Sequence, residues 1–132
     1  MAGSIVYIDR SRVRPGSLAE LKAGITGLVA FVEEREPRLL HYAFHVDEEA
    51  LRMTVVAVHP DSASLELHME IGREEFGKLA PFIELETIEV FGVPGEAALE
   101  QLRAKAVALG ADVSLVVHEL EAGFSRLSAR DP

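Results

Sequence analysis

An apolar strand that stops at a proline and reopens as an amphipathic helix constrains this chain most. Arg52-Met-Thr-Val-Val-Ala-Val-His59 is followed by Pro60-Asp61-Ser62 and then by helical periodicity as far as Phe76. The β-branched residues mark the first part as a strand. Pro60 breaks the strand ladder, and Asp61 and Ser62 are residue types that cap helices. Leu65, Met69, Gly72, Phe76 and Leu79 then line one helix face, with His68 and Glu75 on its flank. Leu67 and Ile71 lie nearly opposite and form a second apolar patch. Such a helix lies on a sheet, and the remaining elements have to complete that sheet.

They do so in order. From Ser4 to Val13, Ile5, Tyr7, Asp9, Ser11 and Val13 alternate with Val6, Ile8, Arg10 and Arg12, which predicts a strand. Pro15-Gly16 ends it, and Ser17 with Glu20 predicts a capping box. Leu18, Leu21, Ile25, Leu28 and Val32 form the stripe of a first helix, closed where Glu36 meets Pro37. Leu39 to Val46 and Leu51 to His59 read as a hairpin joined through Asp47-Glu48-Glu49, with Arg52 pairing those acids. Pro81 ends the second helix, and Ile83 to Val93 is a fourth strand. A third helix carries Leu99, Leu102, Ala106 and Leu109. Gly110 sits where a left-handed cap is common, and Ala111 to His118 is a fifth strand. The tail from Glu121 reads as irregular, with Arg130-Asp131-Pro132 frayed.

The order β-α-β-β-α-β predicts an α+β, ferredoxin-like subunit with an antiparallel sheet and both helices on one face. A helix and strand extend it at the C-terminus. The chain reads as one domain over 1–132: a core over 4–93, an extension over 94–120 and a tail over 121–132. Tyr42, Phe44 and Val46 alternate with His41, Ala43 and His45, and Met53, Val55 and Ala57 with Thr54, Val56 and Val58. Apolar groups on both faces call for a second layer, and a two-fold homodimer pairing sheet to sheet supplies it.

Composition removes several function classes. The chain has no cysteine, so disulfides, thiolate metal sites and thiol nucleophiles are excluded. Its net charge of -9, with no basic cluster, excludes a nucleic-acid partner. The apolar run around Ala23 to Val32 is too short to span a membrane, and the first residues lack a signal-peptide pattern. A cytoplasmic protein is expected.

Of five histidines, His41 and His45 share a strand face but stand too far apart to converge on one metal. His59 and His118 close strands, where solvated histidines are ordinary, and no metal-ligand spacing occurs. No metal site is expected. His68 flanks a buried stripe, so it is either a packing histidine bonded to a neighbour or a general base in a helix–sheet pocket. Asp9 lies on a mostly apolar strand face, either wet at the sheet edge or buried with a partner. Tyr7 and Tyr42 are candidates to donate a phenol to a bound carbonyl. Phosphate-binding glycine loops and a Gly-x-Ser-x-Gly elbow are absent.

The run Glu36-Pro37-Arg38-Leu39-Leu40-His41-Tyr42, the apolar strand after it, and Pro60-Asp61-Ser62-Ala63-Ser64-Leu65-Glu66-Leu67-His68 resemble the antibiotic biosynthesis monooxygenase family. Pro15-Gly16 after the first strand fits too, and the resemblance covers roughly Ser4 to Val93. It implies a dimeric α/β barrel of ferredoxin-like subunits. It also implies cofactor-independent oxygenation of a quinol, an anthrone or another aromatic polyketide-like molecule, without metal or flavin. In that reading His68, aided by Asp9, removes a phenolic proton, and Tyr7 or Tyr42 orients the carbonyl. The haem-degrading branch of the family has an asparagine where Asp9 falls and a tryptophan where His68 falls. This chain contains neither residue type, so haem degradation by that route is not expected. Arg38 in place of the usual glycine, His59 in place of an aromatic and a late Phe76 depart from the family pattern. The alternative is a non-catalytic ligand-binding or structural dimer of the same fold, with His68 as packing.

Overall fold

The structure, a computed structural model, describes residues 3–127. The frayed end expected at Arg130-Asp131-Pro132 lies outside these. The elements are β1 (Ile5–Val13), α1 (Leu18–Arg35), β2 (His41–Asp47), β3 (Arg52–His59) and α2 (Ser62–Gly77). A 3-10 turn over Ala80–Phe82 then leads to β4 (Ile83–Phe91), α3 (Glu96–Leu109) and β5 (Ser114–His118). Among the described residues the strands form one sheet in the order β2-β3-β1-β4-β5. The first four pair antiparallel, and β5 joins β4 in parallel, which requires the α3 crossover between them. This is the expected ferredoxin-like α+β plan with its helix–strand extension.

The alternation in β1 decides which side the helices cover. Ile5, Tyr7, Asp9, Ser11 and Val13 are all buried, whereas Arg10 and Arg12 between them are exposed. Leu21, Leu28 and Val32 of α1 pack with Val13, Met53 and Val55, while Leu65 and Met69 of α2 join Ile5, Tyr7 and Ala57. α3 adds Ala98 and Leu102 to that second group, so it lies on the same face. The opposite face is half-open. Val6 and Ile8 of β1, Ala43 of β2 and Val56 of β3 are only partly buried there.

Three local expectations are corrected. Ser17 precedes α1 but makes no side-chain cap bond, because its own backbone is helical (φ -102, ψ -1) and a capping side chain needs an extended one. Gly110 is not a left-handed cap: its φ is -155, and it is glycine because a Cβ would meet the Leu85 carbonyl oxygen at 2.3 Å. Arg52 does not pair with Glu48 or Glu49 in the hairpin. It crosses the open face to Glu86, the extra residue at the β4 bulge, where Arg12 also binds at 3.1 Å. Gly16, with φ 83, does occupy the left-handed region that favours glycine.

Candidate functional site

The site begins with two helix ends. Glu36 is the C-cap of α1, and Pro37 after it disfavours helical backbone, so Glu36 leaves the helix at φ -127, ψ 73. Its side chain, only 2% exposed, turns inward to His68 Nδ1 at 2.9 Å. At the start of α2 the Asp61 side chain accepts a bond from the Ser64 amide at 2.9 Å, and Arg38 clips to Asp61 at 2.5 Å. That pairing, with the Ser64 bond, holds the Asp61 carboxyl below its usual range. Arg38, where the resembled family has glycine, therefore locks the turn that sets the first helical residues ahead of His68.

His68 is 9% exposed. A carboxylate only accepts hydrogen bonds, so Nδ1 carries the proton and donates it to Glu36. Nε2 is then the basic nitrogen, and it has no hydrogen-bond partner among the described residues. The Tyr42 ring packs edge-on against the imidazole at 5.0 Å, and Phe44 stands edge-on to Tyr42 at 5.2 Å. His59 lies 5.5 Å from His68. The expectation of a solvated His59 is overturned: it is 0% exposed, with Nδ1 2.8 Å from Ser64 Oγ. Burial, then the neighbouring His68, pushes its pKa down to about 3, so His59 stays neutral.

A second cluster was only half visible in the sequence. Asp9 is 0% exposed, which settles its two readings in favour of burial with a partner. Tyr7 donates its hydroxyl proton to Asp9 Oδ2 at 2.5 Å. Lys105, from α3, donates to the Tyr7 oxygen at 2.8 Å and to Asp9 Oδ2 at 3.0 Å. Burial, then the Asp9 charge, raises the Tyr7 phenol well above its usual range. Burial, then Asp9 and Glu36, raises Tyr42 as well. Both tyrosines are thus protonated phenols at any ordinary pH. Asp9 does not touch His68, whose carboxylate partner is Glu36.

The two clusters meet at a cleft of about 610 Å³ between α2 and α3, lined by His68, Met69, Gly72, Phe76, Gln101 and Lys105. Exposed Glu70, Arg73 and Glu100 stand at its mouth. Tyr7, Asp9 and Tyr42 do not line it. Its walls are mainly apolar, and His68, Lys105 and Gln101, whose buried Oε1 has no hydrogen-bond partner among the described residues, are its buried or half-buried polar side chains. Such a space suits a small, largely apolar ligand with one ionisable group.

The fold has solved counterparts. The crystal structure of MupZ from Pseudomonas fluorescens superposes with a TM-score of 0.72 at 20% identity, covering 94% of this chain and 95% of that one. A protein of Caulobacter crescentus CB15 assigned to the antibiotic biosynthesis monooxygenases gives 0.61 at 20% identity, over 71% and 92%. SnoaB, a cofactor-independent oxygenase from Streptomyces nogalater, gives 0.59 at 16% identity, over 71% and 96%. This chain has the antibiotic biosynthesis monooxygenase fold. No protein-family model matches it, and no curated sequence does. The MupZ match covers enough of this sequence to include α3, the helix that brings Lys105 to the cleft.

Sequence reasoning missed Glu36 as the partner of His68, and it missed Lys105 altogether. The first had a signal, since a glutamate before a proline at a helix end is turned out of the helix. Lys105 had a weaker one: a cation set among the small residues Ala104, Ala106 and Ala108.

Proposed function

We propose that this protein is a cofactor-independent oxygenase of a phenolic or anthrone-like aromatic molecule, working as a cytoplasmic homodimer. The observation that carries the reading is the Glu36–His68 pair opening on an apolar cleft. A histidine held at Nδ1 by a carboxylate is a general base at Nε2. His68 takes a proton from the substrate, and the electron pair left behind delocalises into the ring. That electron-rich anion then reduces O₂: a C–O bond forms and the O–O bond breaks. One oxygen atom stays on the substrate as a new carbonyl, and the other leaves as water with the proton returned by His68 and the second hydrogen of the oxidised carbon. Phe76 and Met69 provide the surface for the ring, and Tyr42 steadies the imidazole from the side. Tyr7 and Asp9 act from behind Lys105.

The homodimer rests on the half-open sheet face, where Val6, Ile8, Ala43 and Val56 form a continuous apolar row across three strands. A second copy buries that row.

Oxygen uptake with 1,8-dihydroxy-9-anthrone tests the function. Catalysed consumption is expected in the wild-type protein, and it is abolished in His68→Gln. Saturable binding of the anthrone without oxygen uptake would leave the non-catalytic ligand-binding dimer as the correct reading.

A further inference from the structure

Lys105 is buried beyond what a surface lysine tolerates, yet it lines the cleft. Its side chain is 10% exposed and Asp9 is fully buried behind it. An ammonium group has three N–H donors. Two are used, by the Tyr7 oxygen at 2.8 Å and Asp9 Oδ2 at 3.0 Å. The third has no oxygen or nitrogen acceptor among the described residues. Nζ otherwise meets aromatic faces, with the Phe76 ring centre at 4.0 Å and the Tyr7 ring centre at 5.0 Å.

We propose that Lys105 is a catalytic residue that receives the anionic oxygen formed when His68 deprotonates the ligand. This rests on the reading of the cleft as the substrate site, and it narrows the ligand to an aromatic molecule whose anion carries its charge on oxygen. A charge-assisted N–H···O⁻ bond is stronger than a cation–ring contact, so an oxyanion entering the cleft takes the third donor from Phe76. The ring of the ligand then lies beside Phe76, in the space the cleft leaves open.

The surrounding charges do not block this placement. Asp9 lies beyond Lys105, away from the cleft, and its Oδ2 already accepts from both Tyr7 and Lys105. Glu70, Arg73 and Glu100 sit in solvent at the mouth, where water and salt screen them. His68 faces the same space from α2. The proton therefore leaves toward Nε2 on one wall, and the negative charge it leaves behind is met by Nζ on the other. Asp9 and Tyr7 are positioning residues: they fix the ammonium before the ligand arrives, so it need not reorganise as charge develops.

The test uses 4-nitrophenol, whose anion is coloured, as a probe of the cleft. Its ionisation is titrated by absorbance, free and bound to the full-length protein. The bound phenol is expected to favour its anion at least tenfold over the free one, a shift of a whole pH unit or more. The double variant Asp9→Asn with Lys105→Met removes both buried charges together, so neither is left unpaired in the interior. In that variant the bound probe is expected to ionise no more readily than it does in water. Lys105→Arg, which keeps the charge, retains part of the shift. An unshifted probe in the wild-type protein, a shift that survives the double variant, or no saturable binding would each overturn the assignment. Oxygen uptake does not enter this measurement. A shifted probe in a protein that consumes no oxygen upholds Lys105 as the group that binds the oxyanion and refutes the oxygenase reading, and the reverse pattern does the opposite.

Discussion

Lys105 Nζ lies 3.0 Å from Asp9 Oδ2, an ion pair joining residues 96 positions apart and closing the extension helix onto the first strand. Removing one partner of a buried pair strands the other, which costs about 3–5 kcal/mol. Asp9→Asn and Lys105→Met are each expected to lower unfolding stability by that order in urea titration. The double variant should recover most of the loss. Additive losses would mean that the two side chains do not act as a unit.

Glu36→Gln keeps the shape of the His68 partner but offers an amide that can donate as well as accept. The imidazole can then place its proton on Nε2, which removes the base. Turnover should fall about 100-fold or more, with little change in KM. A variant with unchanged kcat would show that Glu36 does not orient His68.

His59 gives the fold a pH dependence of defined sign. Its folded pKa is lowered to about 3, whereas an unfolded imidazole titrates near 6.5. The unfolded chain takes up a proton that the folded chain refuses, so stability is complete above about pH 6.5 and falls as pH drops toward 3. The slope approaches about 1.4 kcal/mol per pH unit below the imidazole range. Denaturant melts between pH 7 and 4.5 measure it, and His59→Gln is expected to flatten that interval.

Gly110→Ala places a Cβ 2.3 Å from the Leu85 carbonyl oxygen and 2.5 Å from Val113 Cγ2. The first of these is backbone in the middle of β4 and cannot step aside. A loss of about 1–3 kcal/mol is expected from the overpacking, with a lower melting temperature. Gly24→Ala meets only the end of the Leu79 side chain, at 2.7 Å, and is expected to cost less.

Ile8→Lys puts a charge in the middle of the half-open sheet face. The wild-type protein is expected to sediment as a dimer and this variant as a folded monomer. A wild-type monomer would rule out sheet-to-sheet pairing.

Where local rules apply, the sequence was a good guide. Alternation in β1, the Asp61 cap and the Leu65–Phe76 stripe depend on neighbours within a turn or two, and those elements and their faces are as read. The Ser17–Glu20 pattern failed because a capping box also needs an extended backbone, which residue identity does not supply. The site was less legible for a different reason. Glu36 meets His68 across 32 residues, and Arg52 meets Glu86 across 34. Periodicity carries no record of such pairings. His68 and Asp9 stood out singly, as polar residues on apolar faces, but their partners were set by how α1 and α3 dock on the sheet.

β5 hydrogen-bonds to a single neighbour, β4, and most of its residues are exposed, so it is the least secured strand of the sheet. Local opening is therefore expected to begin there, while α3 stays held by fully buried Ala98 and Leu102 and by the Lys105–Asp9 pair. The edge of the sheet can breathe without loosening the wall of the cleft, and amide hydrogen exchange is expected to be faster at Val116 and Val117 than at Ile8 and Val56.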